Sequence, residues 1–153
     1  MDLLLWRHAE AYEAVENVPD LERILTPKGE KQALRVGRWL DRQLPDSARI
    51  LVSPAKRTLQ TAQALGRKFK VHEGLAPGQD AISLLRTSGW PDGKGVVLVV
   101  GHQPTLGLAL CQILGVHDPD FAFKKGALWW LRHRQEEGKT STVVVTVQSP
   151  EFL

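Results

Sequence analysis

The sequence predicts an α/β fold: a three-layer α/β/α sandwich whose central sheet is mainly parallel. Two observations carry this reading. Residues 96–100 are five consecutive valines and leucines with no polar break, the mark of a strand covered on both faces. Apolar strand patterns and helical patterns also alternate along most of the chain, the order that builds a parallel sheet between helical layers. A length of 153 residues suits one sizeable core, so a single domain over 1–153 is expected.

The elements follow in order. Leu3-Leu4-Leu5-Trp6 reads as a buried strand and leads straight into Arg7-His8-Ala9-Glu10. Residues 11–24 are polar and acidic, contain Pro19 and keep no steady period, so they form a long loop. Thr26-Pro27 opens a helix, with Thr26 as its N-cap and Pro27 in the first helical position. Ala33, Val36, Gly37, Leu40 and Leu44 share one face of that helix, and Lys31, Arg35, Arg38 and Arg42 lie on its solvated side. Pro45-Asp46 closes it, and residues 49–52 form a second strand.

Ser53-Pro54 repeats the cap-plus-proline signal and predicts a helix running to about Gly66. A brief strand at 70–72 and a weakly patterned helix near 80–88 precede a turn at Pro91-Asp92-Gly93. The strand at 96–100 passes through Gly101-His102-Gln103-Pro104-Thr105 into an apolar helix over 106–114, ended by Gly115. Residues 127–132 and 142–147 read as two last strands around the turn Glu136-Glu137-Gly138-Lys139, with Trp129 and Trp130 on opposite faces.

Composition narrows the function classes. Apolar residues at 42% and charged residues at 24% describe a soluble globular chain. No apolar run approaches the roughly 20 residues of a membrane helix. Arg7 and His8 interrupt the only apolar stretch near the N-terminus, so no cleaved leader is expected. The single cysteine, Cys111, sits among Leu108, Leu110 and Ile113 and reads as a buried thiol in a cytoplasmic protein. The net charge of +3 comes from bases interleaved with acids, so neither nucleic acid nor membrane is an expected partner. No exposed apolar repeat is evident, and a monomer is expected.

In a parallel sheet, the residues that follow the strands gather along the carboxyl edge. That brings together Arg7-His8, the segment from Ser53 to Arg57, and His102. Arg57 falls in the first turn of a helix, where free N–H groups already favour an anion. Two guanidinium forks grip a tetrahedral phosphoryl group well. One imidazole can attack the phosphorus while a second donates to its oxygens as charge redistributes. With guanidinium and imidazolium groups neutralising that charge, magnesium is not required. Taken singly, Arg57 reads as an exposed helix residue and His102 as a core histidine; together with Arg7-His8 they read as a site. No His-x-x-x-His or Cys-x-x-Cys spacing exists, His72, His117 and His133 stand in unrelated contexts, and glycine-rich phosphate loops are absent. Neither metal nor cofactor is expected.

These residues resemble the histidine phosphatase superfamily, the phosphoglycerate mutase-like fold, and within it the small SixA-type phosphohistidine phosphatases. The likeness runs through Arg7-His8-Ala9-Glu10, Leu25-Thr26-Pro27-Lys28-Gly29, Leu51-Val52-Ser53-Pro54-Ala55-Lys56-Arg57-Thr58-Leu59-Gln60-Thr61 and Val99-Val100-Gly101-His102-Gln103-Pro104. It implies His8 as the phosphorylated nucleophile and Arg7, Arg57 and His102 as the phosphate pocket. Arg23 is implied as an auxiliary phosphate or substrate contact. It also implies one antiparallel strand in the sheet.

The departures bear on substrate. Ester-cleaving relatives carry an Asp after the second His, or a Glu from mid-chain, as proton donor. Here Gln103 follows His102, and Glu10, Glu73 and Asp80 are the carboxylates weighed for that role. An imidazole leaves phosphorus more readily than an alkoxide, so a missing acid fits a phosphohistidine substrate. Gln103→Asp is expected to raise ester cleavage if the side chain reaches the departing oxygen. The chain has no length for a cap over the site, which suits a phosphate carried on another protein, such as a phosphotransfer domain or phosphocarrier. The alternatives are a phosphatase of a small phosphorylated metabolite using the same site, and a phosphoprotein-binding module without turnover.

Overall fold

The computed structural model describes residues 1–153. Ten main elements follow one another. They are β1 (Asp2–Arg7), α1 (Pro27–Gln43), β2 (Arg49–Val52), α2 (Lys56–Gln63), β3 (Lys70–Val71), α3 (Ala81–Ser88), β4 (Val96–Gly101), α4 (Thr105–Leu114), β5 (Leu128–Glu136) and β6 (Lys139–Gln148). The strands form one sheet in the order β3-β2-β4-β1-β5-β6. β1, β2, β3 and β4 pair in parallel, whereas β5 pairs antiparallel with both β1 and β6 and so alone runs against the others.

Alternation along the strands creates two cores. Leu3, Leu5, Leu51, Val97, Val99 and Leu131 face α3 and α4, packing on Leu84, Leu106 and Leu110. Leu4, Trp6, Ile50, Val52, Leu98, Val100 and Leu128 face α1 and α2, packing on Val36, Leu40, Ala62 and Leu65. Trp130 joins the second core and Trp129 packs against the first, on opposite faces as expected. This is the three-layer α/β/α arrangement with one antiparallel strand. Thr26 caps α1 by accepting from the Gly29 amide at 3.0 Å, with Pro27 opening the helix.

Three expectations are corrected. Ser53 does not cap α2: the helix starts at Lys56 after Ala55, has no side-chain cap and ends at Gln63, short of Gly66. The last two strands are longer than expected because Glu137 and Gly138 both take positive φ (50° and 76°). That geometry makes a two-residue hairpin turn and lets the ladder run up to it. The third concerns exposed apolar surface. β6 lies at the sheet edge, where no helix covers it, and Val143, Val144, Val145 and Val147 are exposed there.

Candidate functional site

The carboxyl ends of β1, β2 and β4 meet beside the N-terminus of α2, and a cavity of about 240 Å³ opens there. Arg7, His8, Arg23, Arg57 and His102 all line it. All five residues singled out in the sequence are therefore brought together, although β1 and β4 lie nearly a hundred residues apart in the chain.

Local chemistry explains how each is held. Gly29 lets the first turn of α1 press on the backbone after His8; a Cβ there would collide with the Glu10 carbonyl. Thr61 Oγ1 accepts from the Ala9 amide at 3.1 Å and donates to the Arg57 carbonyl at 2.8 Å, tying α2 to the same segment. Gln60 Oε1 accepts from the Leu25 amide, and Thr58 Oγ1 donates to the Ala55 carbonyl. The polar residues that follow Arg57 thus serve to fix loops around the cavity.

His8 is buried, and its Nδ1 lies 2.7 Å from the Ala9 carbonyl oxygen. A carbonyl only accepts, so the proton sits on Nδ1 and Nε2 keeps its lone pair. Burial above all, with the charges of Arg57, Arg7 and Arg23, pushes the His8 pKa down to about 4 against the opposing bond to Ala9. The ring is therefore neutral near pH 7, the form that can act as a nucleophile. The His8 and His102 ring centroids are 5.3 Å apart. His102 Nε2 is 2.7 Å from Ser53 Oγ, and burial, then Arg57 and His8, lower its pKa to about 3.

The arginines are just as constrained. Arg57 is 3% exposed, not the surface residue it resembles in isolation. Its Nη1 donates to the Asp20 carbonyl and its Nη2 to the Asp20 carboxylate. Arg23 Nε donates to the other carboxylate oxygen of Asp20, at 3.0 Å. Burial disfavours the Asp20 charge, but its bonds to Arg57 and Arg23 outweigh that and hold its pKa below the ordinary value. Arg7 Nη1 donates to the Phe123 carbonyl at 2.6 Å. Just three buried side-chain nitrogens in the protein lack a hydrogen-bond partner: Arg7 Nε, Arg57 Nε and His102 Nδ1. All belong to residues lining this cavity.

The carboxylates weighed from sequence lie elsewhere. Glu10 accepts from Thr26 Oγ1, Asp80 caps α3 and Glu73 stands exposed in a short 3-10 turn; none lines the cavity. Gln103 lines the cavity, but its side chain is held away from solvent chemistry by two backbone bonds. Its Nε2 donates to the Phe121 carbonyl and its Oε1 accepts from the Gly107 amide, so the side chain is committed to backbone. Sequence reasoning missed Glu13 and Lys125, which line the cavity, as well as Asp20 and the turn of Ser53 toward His102. The only signal for Asp20 was its place in an acidic loop.

A neutral imidazole held among cationic donors at a sheet's carboxyl edge is an arrangement that can bind and transfer a phosphoryl group. The chain belongs to the histidine phosphatase superfamily: the family model for branch 1 matches residues 3–78. A SixA homologue from Haemophilus influenzae, a phosphohistidine phosphatase by name, is 33% identical over 134 residues, covering 78% of this chain and 80% of its own. The phosphohistidine phosphatase SixA of Escherichia coli is 28% identical over 121 residues, 74% of each. A SixA structure solved with tungstate superposes with a TM-score of 0.75 at 26% identity, over 99% of both chains. The protein is a phosphatase enzyme. None of its helices is long and apolar enough to cross a membrane.

Proposed function

We propose that the protein removes phosphate from phosphohistidine on a partner protein, without a metal, through a phosphohistidine formed on His8. One observation carries this reading: the unpartnered nitrogens of Arg7, Arg57 and His102 all belong to residues that line one cavity with His8, whose Nε2 keeps its lone pair. Buried polar groups are ordinarily paired, so a ligand that supplies acceptors is the natural complement of those nitrogens. A phosphoryl group supplies three oxygens. The tungstate complex of a SixA relative supports the same choice, since tungstate is also a tetrahedral oxyanion.

In the first step His8 Nε2 attacks phosphorus, and the bond from phosphorus to the substrate imidazole breaks. That imidazole leaves with the electron pair and takes a proton from solvent. Arg7 and Arg57 hold the equatorial oxygens, and Arg23 extends the cationic wall. His102, protonated once the phosphate dianion is beside it, donates from Nδ1. In the second step water attacks phosphorus, the bond to His8 breaks, and inorganic phosphate leaves with the water's oxygen. The partner fits a phosphotransfer domain or phosphocarrier of the cytoplasm, met by a monomeric enzyme.

The test is rapid quenching with labelled phosphohistidine protein. Wild type should carry acid-labile, base-stable label, and His8→Ala should carry none while remaining folded and inactive. Label retained in His8→Ala, or found on His102, overturns the assignment. A second reading, a phosphatase of small phosphorylated metabolites, is favoured by Glu13, a carboxylate that lines the cavity. The ratio of kcat/KM for a phosphohistidine protein over a sugar phosphate separates the two, and a ratio below one selects the second.

A further inference from the structure

Beside the catalytic cavity lies a second, larger depression of about 560 Å³. Lys28, Lys31 and Arg35 line it from one face of α1, at positions i, i+3 and i+7. Lys124 and Lys125 line it from the segment before β5, and Glu151, paired with Lys124 at 3.1 Å, is its single carboxylate. Lys125 also lines the catalytic cavity, so the two adjoin at that residue. Gln32, which also lines the groove, accepts from the Glu10 amide at 2.9 Å and ties α1 to the segment carrying His8.

We infer that this groove docks an acidic face of the phosphohistidine-bearing protein, next to the phosphorylated residue. The inference rests on the proposed function and names the chemistry of its partner. Five cations against one carboxylate favour an anionic occupant. Its extent favours a macromolecule, because the three cations of α1 alone run along about 10 Å of helix and Lys124 and Lys125 add a second wall, more than a single phosphate engages at once. The lining offers no aromatic ring on which a nucleobase could stack, and no apolar side chain other than Pro150 to enter a lipid surface. An acidic protein surface needs neither. Such surfaces are steered by charge, so docking should govern the rate of encounter more than the chemical step.

The experiment uses two synthetic phosphohistidine peptides, flanked by glutamates or by lysines, and free phosphohistidine. At low ionic strength wild type should show kcat/KM about tenfold or more higher on the glutamate peptide, with the gap closing as salt is raised. The K28E/K31E/R35E variant should reverse that preference while hydrolysing free phosphohistidine at the wild-type rate. If it fails to fold, K28Q/K31Q/R35Q should abolish the preference, and the salt dependence of wild type is an independent reading. Hydrolysis of both peptides with equal kcat/KM overturns the groove inference alone. So does an equal loss on free phosphohistidine, which would place the groove in the phosphate chemistry. Stronger inhibition by a single-stranded oligonucleotide than by polyglutamate would replace the partner with nucleic acid. A folded wild type that cleaves none of the three substrates defeats the proposed function instead.

Discussion

Asp20 accepts from both terminal nitrogens of Arg57, through its carbonyl oxygen at 2.8 Å and its carboxylate at 3.0 Å. Of the three Arg57 nitrogens, Nε alone makes no hydrogen bond. On this geometry Asp20 holds the guanidinium plane of Arg57, which makes it the candidate positioning residue for that side chain.

Removing Asp20 has two opposed effects, loss of aim and loss of a competing negative charge. Asp20→Ala should lower kcat about tenfold, since one hydrogen bond to a charged group is worth about 1.5 kcal/mol. Inhibition by inorganic phosphate should weaken less, because the charge is gone as well. Asp20→Asn, which keeps an acceptor, should recover most of kcat and bind phosphate more tightly than wild type. Arg57→Ala, losing the donor itself, should cost about 10²–10³ in kcat. Equal losses of kcat in Asp20→Ala and Asp20→Asn would assign Asp20 to charge and not to aim.

Ser53 is fully buried and meets His102 Nε2 at 2.7 Å, having been freed from capping α2. Ser53→Ala should leave that nitrogen unpaired and the ring free to tilt. The expected loss in kcat is about tenfold, with KM little changed, matching one hydrogen bond of about 1–1.5 kcal/mol. Ser53→Thr, if it fits, should rescue. A variant with wild-type kcat removes Ser53 from the positioning of His102.

Burial and the neighbouring cations keep both histidines neutral near pH 7, with pKa values lowered from 6.5 to about 4 for His8 and about 3 for His102. Because unfolded histidines bind protons that these do not, the stability they contribute is complete above pH 6.5 and declines as pH falls toward 3. A bound dianion opposes burial and the Arg57 charge, so it should raise both values. Binding of tungstate, already a dianion near pH 7, should therefore take up protons at that pH. Calorimetry in buffers of different ionisation enthalpy measures this directly, and no proton uptake would contradict a protonated His102 in the complex. The acid limb of kcat/KM, which reports the free enzyme, should likewise fall near pH 4 and not near 6.5.

Leaving-group preference follows from where the carboxylates lie. Phosphoramidates should be cleaved much faster than alkyl phosphates, with aryl phosphates between. Gln103→Asp should not gain ester activity. It should lose stability by about 1–3 kcal/mol, because the shorter acid cannot both donate to Phe121 and accept from Gly107. Glu13→Gln should depress alkyl ester cleavage more than phosphoramidate cleavage. Thermal melts and paired kcat/KM values check these outcomes.

Elements whose signals are local are legible in the chain alone, and so is the convergence of the candidate site residues on one sheet edge. Thr26-Pro27 carries its own cap, residues 96–100 carry their own strand pattern, and parallel strands must deliver Arg7, His8, Arg57 and His102 to one edge. Only the tertiary structure decided what those side chains face. The grip of Asp20 on Arg57 joins residues 37 apart, and the turn of Ser53 from helix cap to His102 partner spans 49. Gln103 was set by the Phe121 carbonyl, 18 residues away, and Lys125 by the packing of the last loop before β5. These are hydrogen bonds and contacts between distant segments, fixed by how two cores pack on one sheet; no period or cap in the local sequence encodes them.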